Sequence, residues 1–403
     1  MRITAIETIR AGFHDQLLWV HVDTDAGLTG LGETFFSPSA VETYVHDVAA
    51  PLLLGADATH IGRINTLLLR QPVGYASSGV EMRAASAIDI ALWDLMGQAA
   101  NMPIHQLLGG PARDRVRVYN TCGGPQYVMK KGDLNTTYGL SGGKAERYDD
   151  LRGFLESPAE LARDLLSEGI TGMKIWPFDF AAYQNGRVGI TTKQLAEGCA
   201  PFRKIREAVG REMDLMVELH SLWDLESAKR IIRALEPLEV TWFEDPIRMD
   251  DAEGLAELAR FTRIPILASE TTAPKESFRR LLEQRAVGIV SLDTGWCGGI
   301  SEAAKIIALA DAYQIPFAPH DCTGPIGYVA GTHLSISGRN AFIQEMVRAY
   351  TNTWFRDLVT ELPVVSGGYL SPPNGPGLGA KLRPEFLARK DTTRRRSNAS
   401  AYL

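Results

Sequence analysis

Apolar and polar positions alternate from the first residues of the chain. Residues 3–9 follow the period of two expected of a strand with one buried face, residues 17–22 form a second apolar run, and Asp25-Ala26-Gly27 marks a turn. The period then lengthens. Residues 39–53 and 80–98 carry apolar side chains at helical spacing, and Asn101-Met102-Pro103 ends the second of these helices. Gly109-Gly110-Pro111 is the sharpest break in the chain, so residues 1–115 read as an α+β domain.

Beyond the break the pattern becomes a repeat. Eight short apolar runs, at 116–120, 172–176, 215–219, 240–244, 266–269, 287–292, 316–319 and 342–343, alternate with amphipathic stretches that include 159–168, 225–235, 254–261, 276–284 and 301–313. Ser157-Pro158-Ala159-Glu160 predicts a capping box, with Ser157 as the cap and Pro158 in the first helical position. Eight β/α units over residues 116–355 predict a parallel (β/α)8 barrel of the TIM type. An open doubly wound sheet gives the same alternation, and the strand count favours the barrel. Residues 123–156 interrupt the repeat and read as a long loop over one barrel mouth. Residues 356–403 read as an irregular tail that packs back on the first domain, with Arg394-Arg395-Arg396 as a solvated basic run.

Composition narrows the function classes. Of 403 residues, 45% are hydrophobic and 22% charged, which excludes wholesale disorder. With 42 basic against 48 acidic residues the net charge is -6, which argues against nucleic acid as the main partner, since phosphate binding needs a concentrated basic face. No apolar stretch reaches membrane-spanning length, and MRITAIETIR lacks the apolar core of an export signal, so a cytoplasmic location is expected and no membrane partner. Cys122, Cys199, Cys297 and Cys322 form no CxxC pair and read as reduced thiols.

The candidate chemistry lies at the ends of the runs. Glu218, Glu244 and Glu270 close three consecutive runs at intervals of 26 residues, one β/α unit each. A parallel barrel brings such positions to one mouth, where three like charges need a neutralising partner. An all-oxygen set favours Mg2+ over zinc. His220 follows Glu218 by two residues, and on a strand the two side chains would face the same way, placing a proton donor beside the cation. Asp293 and His320 end neighbouring runs, and a carboxylate that fixes an imidazole tautomer suits a general base. Lys174 and Trp176, two apart on one run, are expected inside the barrel, Lys174 as an electrostatic partner. Glu345 ends the eighth run, where a raised pKa would let it donate to a developing oxyanion. The segments containing His14, Phe35–Ser39 and Tyr75–Gly79 are candidates for substrate contacts from the first domain.

These stretches resemble the enolase superfamily in its mandelate racemase and acid-sugar dehydratase branch. The resemblance is carried by Ala84-Ala-Ser-Ala-Ile-Asp-Ile-Ala-Leu-Trp-Asp-Leu, Leu107-Leu-Gly-Gly-Pro, Met173-Lys-Ile, Val217-Glu-Leu-His, Trp242-Phe-Glu-Asp-Pro, Ala268-Ser-Glu, Gly298-Gly-Ile-Ser-Glu-Ala, Pro319-His and Pro376-Gly-Leu-Gly, over almost the whole chain. It implies an α+β capping domain completed by the tail, a modified (β/α)7β barrel and an essential Mg2+. It also implies proton abstraction α to a carboxylate to give an enediolate, and a symmetric homo-oligomer. On this resemblance Glu218, Glu244 and Glu270 match the metal ligands, Asp293 and His320 the base dyad, Lys174 the first lysine of a Lys-x-Lys pair, and Glu345 the last-strand acid. Trp176 stands where the second lysine is expected, which disfavours racemisation through two opposed bases. His220 resembles the additional histidine of galactonate-type dehydratases. The expected activity is therefore dehydration of a sugar acid to a 2-keto-3-deoxy acid. A cycloisomerase, epimerase or racemase sharing the enediolate is the alternative, and a non-catalytic acid-binding protein is the reading from another class.

Overall fold

The computed structural model describes residues 1–69, 78–141 and 146–398. Strands β1 (Ile3–Ala11), β2 (Leu17–Thr24) and β3 (Thr29–Phe35) form an antiparallel meander, as the alternation requires. One face is covered by the helix Val80–Ala100, whose Ala84, Ala87, Ile88, Ala91 and Leu95 share a core with Leu18, Val20 and Val22 of β2. The approach is close because β3 presents Gly32. A Cβ there would lie 1.8 Å from the Ala87 carbonyl oxygen, so any side chain would push β3 off the helix.

A second, mostly parallel sheet runs through β4 (Val116–Thr121), β5 (Gly172–Ile175), β6 (Asp214–Glu218), β7 (Trp242–Glu244), β8 (Ile266–Ala268) and β9 (Ile289–Val290). Single parallel bridges Val290–Phe317 and Phe317–Ala341 carry it onward, and β10 (Gln344–Met346) pairs with β4. The sheet thus returns to its first strand, the arrangement of a capped α/β barrel. Tyr119, Met216, Trp242, Leu267, Ile289, Ala318 and Ile343 fill its interior as one buried cluster.

Several expectations from the chain pattern need correction. The run 316–319 makes only bridges, and the strand expected at 342–343 lies two residues later; Ile343 packs inside the barrel while Phe342 is 43% exposed. Ser157 makes no capping bond, although Pro158 does open the helix Pro158–Ser167; the capping box forms instead at Thr191 and Gln194. Residues 123–156 are not a plain loop. They include the short helices Leu134–Thr137 and Asp150–Glu156, the second anchored by Asp150, whose carboxylate receives Nε of buried Arg348 at 2.8 Å. The tail is also more ordered than its composition implied. β11 (Val364–Ser366) and β12 (Tyr369–Ser371) form a hairpin on β4, and β13 (Thr392–Asn398) pairs antiparallel with β1. The basic run is therefore part of a strand and not an irregular tail, although its arginines remain exposed to solvent. Arg394, Arg395 and Arg396 each pair with a cap carboxylate, those of Glu7, Asp47 and Asp23. The four cysteines are free and buried. No described helix is long and apolar enough to cross a membrane.

The seam between cap and barrel fixes what lies above the barrel mouth. Buried Glu33 of β3 accepts hydrogen bonds from Trp19 Nε1 at 2.7 Å and from the Gly327 amide at 2.9 Å in the first turn of the barrel helix Pro325–Ser337. Burial outweighs these bonds and raises its pKa to about 8. The next residue, Thr34, donates to the Gly295 carbonyl at 2.8 Å. These contacts hold Phe35 and Phe36 over the segment that follows β9.

Candidate active site

Parallel pairing sets Glu218 directly beside Glu244 at the ends of β6 and β7, and Glu270 follows the end of β8. Each of the three glutamates offers an oxygen within 4.8 Å of the others, and all three are buried. Lys174, from β5, points into the same group. Its Nζ lies 2.8 Å from Glu244 Oε1, 2.8 Å from Glu345 Oε1 and 3.4 Å from Glu218 Oε2. Burial would discharge this lysine, but the surrounding carboxylates win and raise its pKa well above the usual value.

One ammonium cannot satisfy every carboxylate. Burial, together with like-charged neighbours, pushes Glu244 and Glu270 up. Burial also acts against ionised Glu218, but His220, Lys174 and backbone amides hold it down; the His220 and Leu219 amides donate to Oε1 at 2.6 and 2.9 Å. Glu270 Oε2 is buried with no hydrogen-bond partner among the described residues. A divalent cation fits this donor set: it supplies the missing charge and takes the orphaned oxygen, and the all-oxygen chemistry is that of a hard ion.

Two histidines flank the glutamates, each backed by a buried aspartate. His320 Nδ1 donates to Asp293 Oδ2 at 2.8 Å, which leaves Nε2 as the group to face the cavity. The Gly295 amide in turn holds Asp293 Oδ1 at 2.7 Å. Burial lowers the His320 pKa, but Glu270, Glu345 and Asp293 reverse this and raise it to about 10. Any positive charge placed among the glutamates brings it down again. His220 has φ 48, so the strand has ended before it and the spacing-of-two argument does not apply. It reaches the cavity because its Nδ1 donates to Asp179 Oδ2 at 2.6 Å. Burial opposes the charge on His220, while Asp179, Glu218 and Glu270 raise its pKa to about 9. Asp179 is fully buried and also accepts the Tyr138 hydroxyl.

The remaining expected residues divide. Trp176, just past β5, is buried against Tyr127, Phe154 and the His220 ring, and borders the cavity. Glu345 is held by Lys174, the Thr121 hydroxyl and the Asp321 amide, the last at 2.7 Å. Burial raises it, but Lys174 and His320 prevail and lower its pKa, so the proton donor imagined there is a carboxylate. His14 lies behind Phe35 and Trp354, is 2% exposed and is absent from the cavity lining, because its ring is drawn into that aromatic cluster. Phe35, Phe36 and Ser78 do border the cavity, whereas 75–77 fall outside the described residues. Sequence reasoning missed Asp179, Tyr138 and Arg83. No spacing rule links Asp179 to His220, since they meet only across the β5 and β6 loops.

The cavity measures about 990 Å3, with Lys174, Glu218, His220, Glu270 and His320 on its barrel side. Comparison with known proteins places the chain in a family. Residues 4–109 match the mandelate racemase / muconate lactonizing enzyme N-terminal domain, and residues 158–386 match the enolase C-terminal domain-like family. The chain is 30% identical to a D-galactonate dehydratase of Pectobacterium atrosepticum over 400 residues, covering 96% of this chain and 94% of that one. It is also 30% identical to the D-galactonate dehydratase of Ralstonia pickettii, with coverage of 95% and 92%. Among solved structures, an enolase of the mandelate racemase subgroup from Agrobacterium tumefaciens aligns with TM-score 0.87 and 45% identity, covering 99% of each chain. An enolase protein from Sargasso Sea environmental sequencing aligns with TM-score 0.87 and 43% identity, covering 98% of this chain and 99% of that one.

Proposed function

The chain belongs to the mandelate racemase / muconate lactonizing enzyme family of the enolase superfamily, and from that premise we propose that it dehydrates a sugar acid to a 2-keto-3-deoxy acid. The observation that carries this reading is the second histidine–aspartate pair. A racemase or epimerase needs a base or its conjugate acid on each face of C2. Here His220, held by Asp179 beside Trp176, supplies a proton donor for a leaving hydroxyl in addition to the His320 base, and Trp176 adds no further titratable group.

Glu218, Glu244 and Glu270 would hold Mg2+. When bound, that ion supplies positive charge to the substrate carboxylate and so makes the α-proton more acidic. His320 takes the C2 proton on Nε2, with Asp293 holding the ring and stabilising the imidazolium that forms. Lys174 supports the charge that develops on the carboxylate oxygens, and Glu345 fixes the Lys174 ammonium. His220 gives a proton to the departing C3 hydroxyl. The enol that remains ketonises at C2 and takes a solvent proton at C3. Trp176, with Tyr127 beside it, closes the side of the cavity to water. Incubating the chain with Mg2+ and a panel of sugar acids, and assaying for 2-keto-3-deoxy product, tests the reading; consumption of no acid in the panel would refute it.

A further inference from the structure

We infer that the acid taken by this site carries a second anionic group at its far end, bound by Arg83 of the cap. This rests on the sugar-acid reading above and narrows it to a class. Arg83 belongs to the helix Val80–Ala100 and borders the cavity on the cap side. Its Nε donates to the Phe35 carbonyl at 2.9 Å and its Nη1 to the Ser78 carbonyl at 2.8 Å. The guanidinium lies 5.3 Å from the Trp296 ring centre, and Trp296 lies 5.2 Å from the His320 ring. Arg83 is thus held in one plane, one aromatic ring away from the base.

That arrangement leaves a charge without a directly bonded counter-charge: Asp293 and Glu81 act on it only through space, and burial outweighs them. Arg83 forms no ion pair with a carboxylate among the described residues, and its Nη2 makes no hydrogen bond there. A guanidinium partly withdrawn from water and fixed by neutral carbonyls is costly unless a ligand anion completes it. Its fork geometry suits a carboxylate or a phosphate. The other arginines on the cavity differ. Arg187 and Arg280 are exposed, and exposed Arg248 is already paired with Asp250 at 2.6 Å. The cavity therefore has a carboxylate-rich floor that would take the reacting carboxylate through a cation, and a fixed arginine in its roof. A neutral hydroxymethyl terminus leaves that arginine unanswered. A sugar diacid answers it, and a phosphorylated sugar acid presents the same chemistry from another source.

Calorimetry on the full chain with Mg2+ separates these cases without requiring turnover. The ligands are a sugar diacid, the monoacid of equal length and the terminally phosphorylated monoacid, each titrated into wild type, Arg83→Gln and Arg83→Lys. The expected result is a diacid or phospho-acid bound about tenfold or more tightly than the monoacid by wild type. That ratio should fall toward one in Arg83→Gln and recover in part in Arg83→Lys. The tighter of the two dianions identifies the source of the second charge. A wild-type ratio near one, or a ratio unchanged in folded Arg83→Gln, overturns the inference; should Arg83→Gln not fold, the wild-type ratio and Arg83→Lys decide. An Arg83-dependent ratio with no dehydration of any acid leaves this inference standing and removes the dehydratase reading, and dehydration with equal binding does the reverse.

Discussion

The buried carboxylate of Asp179 lies 2.6 Å from Nδ1 of His220 and fixes which ring nitrogen faces the cavity. Asp293 does the same for His320 at 2.8 Å, so the site has two oriented imidazoles, to which the proposed mechanism gives different tasks. Asp179→Asn should therefore separate them. Turnover is expected to fall about 100-fold, with KM changed little, because proton donation to the leaving hydroxyl depends on the ring orientation. Exchange of the C2 proton with solvent deuterium, which depends on His320, should persist. Proton NMR of the substrate in D2O makes the comparison; exchange falling in step with turnover would mean that Asp179 only supports the fold.

Glu218, Glu244 and Glu270 crowd three buried carboxylates around one lysine, so a cation that binds only the folded chain must stabilise it. Mg2+ at about 100 times its dissociation constant should add about 2.7 kcal/mol, read as a rise in the thermal midpoint. Glu270→Gln should lose most of that rise, since it removes the charge of the residue with the orphaned oxygen. An equal Mg2+-induced rise in Glu270→Gln would contradict the ligand assignment.

His333 and His105 stack at 5.2 Å, their Nδ1 atoms 3.0 Å apart, between the barrel helix Pro325–Ser337 and the short helix Ile104–Leu107. His333 Nε2 donates to the Leu378 carbonyl at 3.1 Å, so its Nδ1 must accept from His105, and His333 cannot take a further proton without losing that bond. Burial, with the neighbouring His105, lowers the His333 pKa to about 4. The unfolded chain then binds the proton first. Stability is intact above the unfolded value of about 6.5 and declines as pH falls from there toward 4, by about 3 kcal/mol in total for this group. Thermal midpoints measured between about pH 7 and pH 4.5 should fall less steeply in His333→Gln than in wild type. Parallel slopes would show that His333 does not contribute to the acid sensitivity.

Much of the architecture is legible in the chain itself, for a physical reason. The barrel repeats one unit, and Glu218, Glu244 and Glu270 recur at its period, so strand ends and the buried acidic cluster can be read together. The reasoning fails where position depends on contacts distant in sequence. Arg394, Arg395 and Arg396 look like part of an irregular tail until Glu7, Asp47 and Asp23 of the cap are placed beside them. His220 faces the cavity through a left-handed residue and a bond to Asp179, not through strand alternation. His14 is polar by type, yet Phe35 and Trp354 claim its ring. Arg83 is an ordinary charged position on a helix until the Phe35 and Ser78 carbonyls fix its plane.

The central claim is that one base takes the C2 proton and a separate acid expels the C3 hydroxyl. It is tested most directly by incubating the wild-type chain with Mg2+ and a sugar acid in D2O and following the products by NMR. The account predicts a 2-keto-3-deoxy acid carrying one deuterium at C3, with no such product from His320→Asn. Deuterium appearing at C2 of an otherwise intact or epimerised acid, with no loss of water, would contradict it.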